Sequence, residues 1–218
     1  MLSGEGAVAI WNDIADAGRA DFYAWHLHEH MPERVGIPGF RRGRRYIAAD
    51  AATFPEFFTL YETDTMQVLQ SQDYSNRLNA PTPWTKSATS HFRDTFRSLA
   101  RVLESRGPGM GAAILTIRYD TDDPDALLPL IRAAAEAPRI TGAHLCVADR
   151  AASGVKTAEA QGRTDIQEPP AQFLMIEATD AAALADLAPN TALQAAGATQ
   201  ITRGTYLHEY TRTKTGWS

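Results

Sequence analysis

The sequence predicts an α+β protein built of two tandem βαββαβ units, and three observations predict it. Short apolar strand-like runs alternate with helix-like stretches in the same order twice. Three landmarks recur in that order: Val8-Ala-Ile-Trp-Asn-Asp13 corresponds to Ile114-Leu-Thr-Ile-Arg-Tyr-Asp120, Ile37-Pro-Gly39 to Ile140-Thr-Gly142, and Phe58-Thr-Leu-Tyr-Glu62 to Phe173-Leu-Met-Ile-Glu177. Between the two sets lies Arg106-Gly-Pro-Gly109, a natural linker, so the units are expected over 1–106 and 107–218.

In the first unit Ala7–Asn12 reads as a buried strand. A helix is expected from about Arg19, with Ala20, Ala24, Leu27 and Met31 as its apolar stripe and Pro32 as an end or a kink. After the Pro38-Gly39 turn the period changes to two, placing Phe40, Arg42, Arg44 and Tyr46 on one strand face and Arg41, Gly43, Arg45 and Ile47 on the other. Phe57–Glu62 is the third strand. Asp64 with Gln67 has capping-box spacing for a second helix, Asn79–Trp84 breaks it, and Phe96–Leu103 reads as the fourth strand. The second unit gives a helix over Asp125–Ala137 and strands over Ala143–Ala148, Phe173–Glu177 and Thr205–Tyr210. A polar segment, Ser153–Pro170, lengthens its hairpin and is expected at the surface.

With 44% hydrophobic and 22% charged residues, a chain of 218 residues has the makings of a full core. The 21 basic and 26 acidic residues leave a charge of -5, which argues against nucleic acid or an anionic membrane as a partner, and the arginine run at 41–45 alternates between faces rather than forming one basic surface. Cys146 is the single cysteine, so no intrachain disulfide can form. Nothing resembles a signal peptide or a membrane span, and a cytoplasmic protein is expected. Self-association as a homo-oligomer stays open.

The chemistry concentrates in Tyr23–Tyr46, which holds three of the six histidines. At about 100° per residue, His26 and His30 fall roughly 40° apart on one side of the helix, Tyr23 lies one turn before them and His28 points elsewhere. A His30 held half out of water is a competent general acid or base, with Tyr23 or Glu62 as its neighbour; the plainer reading is a polar residue beside Glu29 and Glu33. A metal held by His26 and His30 would need a third ligand such as His91 or Glu62, and no metal site is assigned. Arg42 and Arg44, beside Tyr46, suit a carboxylate or phenolate clamp, or else pair with acidic neighbours. Tyr74, Trp84 and His91 surround the proline-rich break and suit a pocket wall for an aromatic molecule; Trp84 equally suits a core plug. Trp11, Tyr61 and Met175 read as core. Glu62 and Glu177 share one repeat position, which favours a structural role for both.

Trp25, Glu29-His30, Pro38-Gly39-Phe40, Arg44-Arg45-Tyr46, Tyr61-Glu62, Leu69, Ser71, Tyr74 and Pro81-Thr-Pro-Trp84 together resemble the EthD-like group of the dimeric α+β barrel superfamily, over about the first 85 residues. The second half matches only through its repeat pattern. The resemblance implies ferredoxin-like units paired sheet to sheet, and a pocket between helices and sheet lined by the histidine at the end of the first helix, here His30. It leaves open isomerase, lyase or cofactor-free monooxygenase chemistry on a small oxygenated ligand, or a non-catalytic binding or stress-response module. No axial ligand for haem matches in the second half, and no organic cofactor is expected.

Overall fold

The computed structural model describes residues 1–214; the last four residues of the second expected unit, 215–218, lie outside the described residues. Nine strands and seven short α-helices are described: β1 (Gly6–Ile14), α1 (Arg19–Trp25), α2 (Met31–Gly36), β2 (Phe40–Ala48), β3 (Phe57–Thr63), α3 (Gln72–Leu78), α4 (Pro83–Thr89), β4 (Phe92–Arg106), β5 (Ala113–Asp120), α5 (Leu128–Ala135), β6 (Ile140–Ala148), α6 (Arg150–Ser153), β7 (Ile166–Gln167), β8 (Gln172–Ala178), α7 (Asn190–Ala195) and β9 (Thr199–Thr213).

The strands run β1-β3-β2-β9-β5-β8-β6-β4, and β4 pairs back on β1, closing an antiparallel barrel of eight strands. Within the first half the order is β4-β1-β3-β2 and within the second β9-β5-β8-β6, one arrangement used twice. The seams are β2 with β9 and β4 with β6. Closure removes the free sheet edges that two separate four-stranded sheets would expose. Of the described strands only β7 hangs outside, parallel to β4.

Because side chains alternate along each strand, the barrel has two apolar faces. Inside it Trp11, Tyr46, Phe58, Leu60, Phe173, Met175 and Tyr206 pack together. Outside, Val8, Met31, Phe40, Tyr61 and Tyr74 pack under the helices of the first half, and Leu115, Ile117, Ile131, Leu174 and Leu193 under those of the second.

Several local expectations change. The first helix buries Phe22, Trp25, His26, His30, Met31, Arg34 and Val35, whereas Ala20 and Leu27 are exposed. Ahead of His26 the larger Phe22 and Trp25 set the buried face; a π-helical turn over His26–His30 then joins α1 to α2 and delays that face by one residue, so that His30 rather than Glu29 turns inward. Pro32 does not end the run, which continues to Gly36. A bulge between Phe40 and Arg42 sends Phe40 to the helix side while Arg42, Arg44 and Tyr46 face the barrel interior. Asp64 does not cap the second helix: α3 is capped by Ser71, whose hydroxyl accepts from Tyr74 N at 3.2 Å, and the stretch Met66–Gln70 before it is a tighter 3-10 turn. No described helix is long and apolar enough to cross a membrane.

Candidate functional site

The π-turn positions the site. His26 and His30 are both buried, with ring centroids 5.5 Å apart in a stacked arrangement, and Trp25 lies against His30 at 4.2 Å. His28 points to solvent. One turn beyond His30, Arg34 is 4% exposed and ion-pairs with Glu159 from the second half. Beneath them the ring of Tyr61, on β3, stands 6.3 Å from His30 at 69°.

His30, Arg34 and Tyr61 line a cavity of about 50 Å³, with Phe40, Tyr74, Thr95, Arg97, Glu159 and Arg163 around it. Three of its side chains carry buried polar atoms without a hydrogen-bond partner: His30 Nδ1, Arg34 Nη1 and Tyr61 Oη. A folded protein normally satisfies such atoms, and these three belong to residues around one void. Leu78, Thr95, Arg97, Glu159 and Arg163 also line a wider cleft of about 910 Å³ under the segment Ser153–Pro169, which makes the small cavity its inner end.

That segment is the polar insertion of the second half, and it lies over the first half as a cover. Arg34 holds Glu159, Asn79 Oδ1 accepts from Ala158 N at 3.0 Å, and Arg163 donates to Asp165 and to Thr95 Oγ1. The second half therefore supplies part of the wall.

The cavity lining carries three guanidinium groups, Arg34, Arg97 and Arg163, against one carboxylate, Glu159, which pairs with Arg34. Burial, reinforced by Arg34 and by His26, holds the His30 imidazole well below its ordinary pKa, and burial followed by Arg45 does the same to His26. Both rings are neutral at neutral pH. Burial also raises the Tyr61 phenol. A neutral imidazole beside guanidinium donors can take a proton from a bound acid and leave the resulting oxyanion among cations.

The other candidates divide by sheet face. Tyr74 lines the cavity and its hydroxyl accepts from Arg97 at 2.7 Å. Tyr23 is directed to Glu209, at 3.3 Å, with the Arg45 guanidinium 4.7 Å over its ring, and it is linked to His30 through Arg45 and His26 in turn. Glu62 does not orient His30: it faces the barrel interior, where its carboxylate accepts from Ser3 N at 2.6 Å and Arg42 Nε at 2.7 Å and ion-pairs with Arg44 Nη2 at 2.9 Å. Tyr61, its neighbour on the chain, occupies the place expected for it. Arg44 bridges Glu62 to Glu177, 2.7 Å from its Nη1, so Arg42 and Arg44 pair with acids inside the barrel rather than opening to the cleft. Tyr46 is enclosed beside them. Trp84 donates to Asp21 Oδ1 at 2.8 Å and packs against the Phe22 cluster; His91 covers Gly18. Among the described residues no three His, Cys, Asp or Glu side chains are grouped to hold a metal ion.

Arg34 is the residue sequence reading passed over with a signal available, because His26, His30 and Arg34 repeat every four residues. Tyr61 was read as core. Glu159 and Arg163 had no local signal, since only the fold brings the insertion across.

No family model matches the chain, and no curated protein matches it. Solved structures do. An anthrone oxidase-like protein aligns with TM-score 0.61 at 11% identity, covering 95% of this chain and 92% of that one. The fold is that of the dimeric α+β barrel. A presumptive monooxygenase from Lactobacillus acidophilus aligns with this barrel at TM-score 0.56 and 9% identity over 96% of each chain. A presumptive chlorite dismutase aligns at 0.52 and 11% identity, covering 94% of this barrel and 95% of that chain. At these identities the likeness is one of fold.

Proposed function

We propose that this barrel is a small-molecule enzyme without an organic cofactor, transferring a proton at His30 on an apolar or aromatic, oxygenated metabolite. The observation that carries the reading is the set of unpartnered polar atoms, His30 Nδ1, Arg34 Nη1 and Tyr61 Oη, on residues lining one cavity at the inner end of a cleft. A substrate whose acidic O–H or C–H reaches His30 gives up its proton to the neutral imidazole. Arg34 and Tyr61 donate to the oxygen on which charge develops, and the charge on His30 rises only as that anion forms beside it. Isomerase, lyase and cofactor-free monooxygenase reactions all begin with such a step. The likeness to an anthrone oxidase-like protein agrees with this substrate class. The first half supplies the proton-transfer group and the second half the cover.

The second reading is a binding barrel without turnover, and the size of the inner cavity favours it: about 50 Å³ holds a few waters but no aromatic ring, so the ring of a bound molecule would stay in the outer cleft. A thermal-shift and turnover screen of wild-type and His30→Gln protein against phenols, aromatic acids, 1,3-dicarbonyls and lactones separates the two. A stabilising compound that is consumed by wild type and bound but not consumed by the variant supports the enzyme. Binding without consumption by either protein supports the second reading.

A further inference from the structure

The barrel interior ends differently on its two sides. At one end Arg44 is neutralised by Glu62 and Glu177. Toward the other end, on β5, stands a second buried arginine, Arg118, only 6% exposed. It occupies the ladder position that Trp11 occupies in the first half, since Trp11 pairs with Phe58 and Arg118 with the corresponding Phe173. Its guanidinium lies between the rings of Phe96, 4.2 Å away, and Trp11, 5.2 Å away.

Among the described residues Arg118 has no carboxylate partner. Its Nη2 donates to Phe54 O at 3.4 Å, a long bond, and its Nη1 is buried without any partner. Two aromatic faces stabilise a cation, but they leave the in-plane donors of the guanidinium unused. Burial accordingly lowers its pKa from the ordinary arginine value.

Arg118 also lines a pocket of about 330 Å³. The other charged residues of that lining are Asp120 and Arg150, which neutralise each other at 2.7 Å, and Glu168, which is exposed and screened by water. The uncommitted buried charge is therefore that of Arg118. Phe96, Pro169 and Pro170 give the pocket an apolar side, and Thr202, directly across the ladder from Arg118, stands at its mouth. A planar fork of donors at the floor with an apolar wall matches an organic acid better than a bare inorganic anion.

We propose that this pocket is a second ligand site, separate from the His30 cavity, which takes a small organic carboxylate with its acid group on Arg118 and its apolar body along Phe96, Pro169 and Pro170. Calorimetric titration with benzoate tests it on wild-type, Arg118→Met, Thr202→Trp and His30→Gln proteins, with inorganic phosphate as a separate arm. Thr202→Trp fills the mouth and leaves Arg118 in place, so the test survives if Arg118→Met fails to fold. Saturable benzoate binding that weakens at least tenfold in both pocket variants and is unchanged in His30→Gln is the expected result. No saturable binding, benzoate binding lost only in His30→Gln, binding indifferent to both pocket substitutions, or phosphate bound in place of benzoate overturns it.

Discussion

The His30 imidazole faces the ring of Tyr61, 6.3 Å away and nearly perpendicular, while Glu62, the next residue on β3, is directed into the barrel on the opposite side of the sheet. One step along a strand thus separates a cavity residue from a structural ion network.

The two neighbours should respond differently to substitution. Tyr61→Phe removes a buried hydroxyl that has no partner, so its stability should stay within about 1 kcal/mol of wild type while ligand affinity falls. Glu62→Ala leaves Arg42 short of its acid and Arg44 with Glu177 alone, and should cost about 3 kcal/mol or more in urea unfolding. Equal losses for the two would contradict the assignment of faces.

Acid should destabilise the protein through the stacked histidines. Their folded pKa values lie well below the ordinary imidazole value near 6.5, so above that pH both states are neutral and nothing is lost. As pH falls below it the unfolded chain takes up protons that the native state refuses, and stability declines by at most roughly 1.4 kcal/mol per pH unit for each ring. Urea midpoints at pH 7.5 and 5.5 should show the decline, and His30→Gln should remove about one proton's share. An unchanged slope in the variant would show that the protonation lies elsewhere.

Glu159 fastens the insertion to the first half through the buried Arg34 guanidinium. Glu159→Ala should cost about 2 kcal/mol and speed proteolysis and amide exchange within 153–170, because it leaves a buried charge unpaired and the cover untied. Protection unchanged from wild type would mean that the segment is held by its other contacts.

Gly43 lies on the helix side of β2, where a Cβ would stand 2.5 Å from Met31 Sδ and 2.8 Å from Tyr61 Cε1. Gly43→Ala should therefore cost about 1–3 kcal/mol and displace Tyr61, weakening binding as well as stability. Normal affinity in a folded Gly43→Ala protein would detach Tyr61 from the ligand.

Much of the architecture was legible in the chain because its signals are local. Pro38-Gly39, the repeated Phe-x-x-x-Glu strand and the alternating apolar runs report backbone preference within a few residues, and they marked the eight barrel strands, with ends off by a few positions. The His26/His30 pairing was legible for the same reason. The stripe expected through Ala20, Ala24, Leu27 and Met31 held only at Met31: the larger Phe22 and Trp25 take the buried face ahead of the π-turn, and the residue gained in that turn, which leaves no mark in a periodic pattern, brings His30 inward beside Met31.

By itself, then, the sequence determined the two βαββαβ units, the four-residue spacing of His26 and His30 and the net charge of -5. Only the tertiary structure decided which strand face meets which core, that Tyr61 rather than Glu62 stands beside His30, and that Glu159 and Arg163 cross over to cover the cavity. The physical reason is range. Strand and helix periods are set between near neighbours, whereas register, bulges and the closure of β2 on β9 and β4 on β6 join residues far apart in the chain, and a one-residue shift in any of them reverses which side chains meet.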